Sequence, residues 1–298
     1  SNTYNQTFLS VMSPATGYSG FYVQAGNVRN RGVEMTLGYN DTFGKVNYST
    51  HLTYTANQNK IVEMVHDYRN PIDNSLVNIT ELTLKEVGDV YLREGYSMSD
   101  VFTTGILQRG RDGKLVEEGN GYQVDRSQRI RLGSADPDFT MGWRHDINYK
   151  NISLGLMITG RFGGIVTSQT QAFMDAFGVS KVSAEARDNG GVMLDGHRYD
   201  AERYYNTVGG QGLMSYYTYD ATNVRLQEVS LGYTFPRKML HNICDIKISM
   251  IGRNLWMIYN KAPFDPESIA STDNFYQGID YFMMPSLRNI GFSLSFKF

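Results

Sequence analysis

The C-terminal stretch Asn289-Ile290-Gly291-Phe292-Ser293-Leu294-Ser295-Phe296-Lys297-Phe298 decides how this chain is read. Successive side chains of a β-strand point to opposite faces, so Ile290, Phe292, Leu294, Phe296 and Phe298 share one face, and Gly291, Ser293, Ser295 and Lys297 share the other. The segment is a strand with one strongly apolar face and one small or polar face.

The same period recurs upstream. Val33, Met35, Leu37 and Tyr39 oppose Gly32, Glu34, Thr36 and Gly38, and after Asp41-Thr42-Phe43-Gly44 a second strand runs from Lys45 to about Asn57. Phe139 to Tyr149 and Ile152 to Ile158 form another hairpin through Lys150-Asn151. Val229 to Phe235 and Ile246 to Met250 form a third, and less regular strands are expected near Tyr4 to Val11 and Ser99 to Leu107. The count is roughly nine strands of about 10 residues, the length that a tilted membrane strand needs.

Between these strands short turns alternate with long insertions, at Lys60 to Tyr96, Gly164 to Ala221 and Met257 to Pro285. Outer-membrane barrels have this asymmetry, with short periplasmic turns and long extracellular loops. Ser168 to Arg187 is expected to form one or two short helices within the middle insertion. Aromatic residues at strand ends, among them Tyr39, Trp143, Tyr149 and Trp256, suit the headgroup region.

Composition agrees. The chain has 21 Tyr, 30 Gly and 19% charged residues, as strands, tight turns and interfacial rings require. Its net charge of -2 gives no basic field for nucleic acid, and its single Cys244 excludes an intramolecular disulfide. A mean hydropathy of -0.38 fits strands that are apolar only at alternate positions. The chain starts Ser1-Asn2-Thr3, without an initiator Met or a signal segment, and is expected to be processed or a fragment.

No pattern indicates an enzyme, a cofactor or a metal. The glycine-rich pieces at 160–164 and 208–212 lack the lysine and strand-to-helix setting of a phosphate loop, and the five histidines show no i, i+4 pair. Asp265-Pro266-Glu267 and Asp136-Pro137-Asp138 read as turns. Tyr199, Tyr204, Tyr205, Tyr216, Tyr217 and Tyr219 cluster in the longest insertion, where they serve either internal packing or binding of sugar or protein. By alternation Glu34, His51, Arg144 and Asp146 face the interior of a barrel, as lumen candidates.

Several segments, taken in order, resemble the C-terminal barrel of SusC-like (RagA/SusC-type) TonB-dependent transporters. They are Gly26-Asn27-Val28-Arg29-Asn30-Arg31-Gly32-Val33-Glu34, Arg131-Leu132-Gly133-Ser134-Ala135-Asp136-Pro137-Asp138-Phe139, and Val224 through Pro236. Gly252-Arg253-Asn254-Leu255-Trp256, Asp265-Pro266-Glu267 and the terminal strand follow. The resemblance implies that residues 1–298 are the C-terminal part of an all-β, antiparallel transmembrane barrel of about 22 strands, with the plug and early strands outside the chain. It further implies a Gram-negative outer-membrane location in contact with the lipid bilayer, coupling to the TonB complex, a SusD-like surface lipoprotein partner, and import of oligosaccharide or peptide. The competing reading is a non-transporting, β-rich glycan-binding surface protein, whose apolar strand faces would pack on a second sheet.

Overall fold

The computed structural model describes all residues except 12–19, 70–73, 75, 85–89, 242 and 272–277. Its main element is an eight-stranded antiparallel sheet. The strands are β1 (Asn2–Val11), β2 (Gly20–Phe43), β3 (Val46–Glu63), β4 (Phe139–Tyr149), β5 (Ile152–Phe162), β6 (Asn223–Phe235), β7 (Asp245–Asn260) and β8 (Asn289–Lys297). Each pairs with its neighbours in chain order, so the sheet is a plain meander.

Register turns the alternation of single strands into rows across the sheet. Tyr48 lies opposite Ile147, which continues through Leu154, Leu231 and Met250 to Phe292. The row below runs from Phe43 through Val46, Tyr149, Ile152, Tyr233 and Ile248 to Leu294. Higher up, Leu37, Leu52, Trp143, Ile158, Leu226 and Trp256 align. From Phe43 up to Val33 the band covers ten residue steps, which at about 3.4 Å per residue and a strand tilt near 45° is roughly 24 Å. That matches the apolar height of an outer-membrane barrel. Among the described residues none covers the band: Phe292 is 79% exposed and Leu231 55%. The opposite face carries Asn40, Ser49 and Asp146 in one row, and Asn47, Asn148 and Ser153 in another.

All described connections at one end of the sheet are short, at 44–45, 150–151 and 236–244. At the other end lie the first insertion (64–138), the second (163–222) and the third (261–288). Lys150 fits its tight turn at a positive φ of 52°.

Two expectations are corrected. Ser99 to Leu107 is not a strand of the sheet: Asp100–Leu107 pairs with Val124–Ser134 as a separate hairpin inside the first insertion. Among the described residues the sheet therefore has eight strands, against the roughly nine expected. The first insertion also starts later and runs further than Lys60 to Tyr96, because β3 continues to Glu63 and the next sheet strand begins only at Phe139. The expected helices are present as α1 (Gln169–Ala176) and α2 (Lys181–Asp188), and α3 (Ala201–Val208) joins them.

Candidate functional site

The site has two parts, a polar face on the sheet and a folded cap built by the insertions. On the polar face His51 stands opposite Arg144, Arg144 opposite Met157, and Met157 opposite Glu228, which faces Arg253. Arg144 grips Asp146 with two hydrogen bonds of 2.8 and 3.0 Å and lies 3.6 Å from Glu228, whose other oxygen accepts from Arg253 at 2.9 Å. A charge-assisted network thus reaches across four neighbouring strands, from Arg144 and Asp146 on β4, over Met157 of β5, to Glu228 on β6 and Arg253 on β7. Glu228 and Arg253 were missed in the sequence reading, although counting alternate residues back from Phe235 places Glu228 with the polar set. Glu34 lies outside the network, opposite Thr55. His51 is bonded to Ser49 at 3.1 Å, with its ring lying over the bare backbone of Gly38.

The cap is nucleated by three capped helices. Ser168 accepts from the Gln171 amide at 2.9 Å, Ser180 from Ser183 at 3.0 Å, and Asp200 from Arg203 at 2.9 Å. Each satisfies an amide that the first helical turn leaves unpaired. Helix α3 places Ala201, Tyr204, Tyr205 and Val208 on one face, and all four are buried. They pack with Tyr199, Leu213 and Tyr217 and with Leu107, Leu115 and Tyr122 of the first insertion. Hydroxyls stitch the two insertions together. Tyr199 Oη accepts from the Leu115 amide at 3.2 Å, Tyr216 Oη from Leu107 at 3.1 Å, and Thr207 Oγ1 from Tyr122 at 3.0 Å.

This placement decides what the tyrosine cluster can touch. Tyr199, Tyr204 and Tyr205 are each 8% exposed and Tyr217 is 3% exposed. Burial pushes the phenols of Tyr204, Tyr205 and Tyr217 up from their ordinary value, with Asp175 adding to the effect at Tyr205 and Tyr217. Their rings form the core of the cap and present no free face for stacking. Tyr216 and Tyr219 are half-buried, Tyr219 edge-on to Phe264 of the third insertion at 5.6 Å.

The exposed rings of the cap are others. Phe173 on α1 lies 5.7 Å from Phe282 and 6.5 Å from Tyr281, and the Phe282 amide donates to Thr170 Oγ1 at 2.6 Å. With Phe177 (77% exposed) and Met284 (79%), they form an apolar ridge on the second and third insertions.

The third insertion is tied down by an ion cluster. Arg225 of β6 is 2% exposed and bonds Asn223, Asp265 and Ser286, with Glu267 at 3.3 Å. Burial alone would raise the Asp265 carboxyl, but hydrogen bonds from Arg225, Ser286 and the Glu267 amide outweigh it and hold it down at about 2. Asp265-Pro266-Glu267, read from sequence as a turn, is also the anchor of the cap.

Comparison with known proteins bears on these features together. No protein-family model matches the chain. Over 314 aligned residues it is 27% identical to "TonB-dependent receptor P3" of Formosa agariphila, a match covering 96% of this chain. This chain is related to the TonB-dependent receptors. It spans 30% of that receptor's length. In fold it resembles the RagAB peptide transporter (TM-score 0.67, 14% identity) and the RagAB peptide importer in its closed-closed state (0.65, 14%), covering 100% of this chain and 32% of each solved chain. The eight-stranded sheet is therefore a portion of an antiparallel barrel wall, and the apolar band is its outer face. In this relative of the TonB-dependent receptors, the polar network lies on the face opposite the band, and the cap is built from the insertions that emerge at one end of the wall.

Proposed function

We propose that this chain is the C-terminal part of the barrel of an outer-membrane importer for oligomeric nutrients in a Gram-negative bacterium. The plug and the remaining strands lie outside the chain, and energy comes from the TonB complex through those parts. The observation that carries the reading is the two-faced wall. One face offers lipid an uncovered apolar band, the other keeps an Arg144–Asp146–Glu228–Arg253 network suited to a wetted lumen, and all three large insertions gather at one end. A glycan-binding sandwich would instead bury the band against a second sheet. Import of this kind is binding and release, and needs no bond chemistry.

The cap is the extracellular mouth, and its partner is a SusD-like surface lipoprotein. The ridge of Phe173, Phe177, Tyr281 and Phe282 fits protein contact, since exposed aromatic rings anchor interfaces. The buried tyrosines act indirectly, by holding the ridge in place. The substrate is an oligosaccharide or a peptide, and the peptide class gains support from the structural neighbours named above. Growth of cells carrying Phe173→Ser/Phe177→Ser/Phe282→Ser on candidate glycans and oligopeptides tests the proposal. Loss of lipoprotein co-purification with normal barrel insertion is expected. Wild-type retention and uptake would refute the role of the ridge.

A further inference from the structure

The upper rim of the outer face carries a feature that import does not use. Two residues above Val33 and Ala56, the last apolar pair of the band, the same row direction brings Arg31 opposite Gln58 and then Arg29 opposite Lys60. Two cations directly across a strand pair repel. Among the described residues, no carboxylate pairs with Arg29, Arg31 or Lys60. Arg131 does not share this situation, because Asp100 holds it with bonds of 2.7 and 2.9 Å.

The three cations border a cavity of about 490 Å³ where the wall is open. Pairing of β3 with β4 stops at Thr55 opposite Thr140. Continuing the register would set Pro137 opposite Gln58, and a proline has no N–H to extend the ladder. Asp136 and Asp138 also line the cavity. The Asp138 carboxylate is packed over Gly163, and the Asp136 amide is tied to Ser134 Oγ at 3.2 Å.

We infer that Arg29, Arg31 and Lys60 form a phosphate-binding site for an anionic lipid headgroup of the outer leaflet. Neighbouring positions on one face lie about 5–8 Å apart, so three long cationic side chains converge on a single phosphate. An amphiphile whose chains lie along the band places its headgroup at this height, and a bound phosphate would relieve the Arg29–Lys60 repulsion. The inference rests on the barrel reading, which fixes this face as the one toward lipid.

The test uses the full-length receptor in neutral detergent, titrated with short-chain phosphatidic acid, phosphatidylcholine and inorganic phosphate, with bound lipid read by native mass spectrometry. Phosphatidic acid is expected to bind about ten-fold or more tightly than phosphatidylcholine. Arg29→Gln/Arg31→Gln/Lys60→Gln should erase that preference, while Arg29→Lys/Arg31→Lys, which keeps the charge, should retain it. Unchanged preference in the triple variant, folded by its heat-modifiable mobility, overturns the site. Inorganic phosphate displacing the lipid at equal concentration overturns the lipid assignment. A protein that stays folded and soluble without detergent would sink the barrel reading itself, whereas a detergent-dependent barrel without the preference sinks only this site.

Discussion

The wall and the cap draw on the same amphipathic and aromatic residues and use them in opposite ways. In the wall, Phe292, Leu294 and Phe296 stand 52–79% exposed on a face that no other described residue covers. In the cap, Tyr199, Tyr204, Tyr205 and Tyr217 are 3–8% exposed and hold two insertions together. The wall depends on lipid to cover its apolar side, while the cap supplies its own interior. Residue type alone did not separate the two environments; backbone period did.

The largest effect is expected at the joint between the two regions. Arg225→Met leaves Asp265 buried without its cation, and breaking such a pair costs about 3–5 kcal/mol. Hydrogen exchange should show residues 261–288 losing protection while β4 and β5 keep theirs. Uniform loss across both regions would mean that wall and cap are one cooperative unit.

Next come paired substitutions within the wall. Leu156→Arg puts a charge in the apolar band and should destabilise the barrel in vesicles by about 2–4 kcal/mol. Met157→Arg, one residue on and on the polar face between Arg144 and Glu228, should cost less than about 1 kcal/mol. Equal costs in denaturant titrations would mean that the two faces are not distinct.

Smaller effects separate hydroxyls within the cap. Tyr199→Phe removes the acceptor of the Leu115 amide and should cost about 1–2 kcal/mol. The Tyr217 hydroxyl lies beside the Asp175 carboxylate but makes no hydrogen bond of ordinary geometry, so Tyr217→Phe should cost less than Tyr199→Phe. Thermal melting of the two variants checks the order, and a larger loss at Tyr217 would reverse it.

Acid adds a graded test of the anchor. Because the folded Asp265 carboxyl is held at about 2 against 3.8 unfolded, its contribution is complete above pH 3.8 and is lost as pH falls through 2. Protection of residues 261–288 should weaken across that window and be restored on neutralisation. In Asp265→Asn the acid dependence should vanish, and its persistence would assign it to another group.

The wall was legible because a strand with unlike faces writes its period directly into the sequence, and a meander needs only neighbours in order. Ser99 to Leu107 has a similar pattern, but its partner Val124 to Ser134 lies nearby in the first insertion, and alternation says nothing about which strand pairs with which. The fate of the tyrosines was also legible, by a different rule. Asp200 at a cap position, followed by Ala201, Tyr204, Tyr205 and Val208 at spacings of i, i+3, i+4 and i+7, is a helix with one apolar face. Applied there, that rule turns the rings inward. The Arg225 cluster had no such signal, since Asp265 returns from 40 residues away.

The most direct test of the central claim is a single-cysteine scan along β5 from Ile152 to Thr159, in protein with Cys244 replaced, labelled with an environment-sensitive fluorophore and reconstituted in vesicles. Brominated lipid should quench labels at 152, 154, 156 and 158, and an aqueous quencher those at 153, 155, 157 and 159. Quenching without a period of two, or lipid contact at the odd positions, would contradict the account.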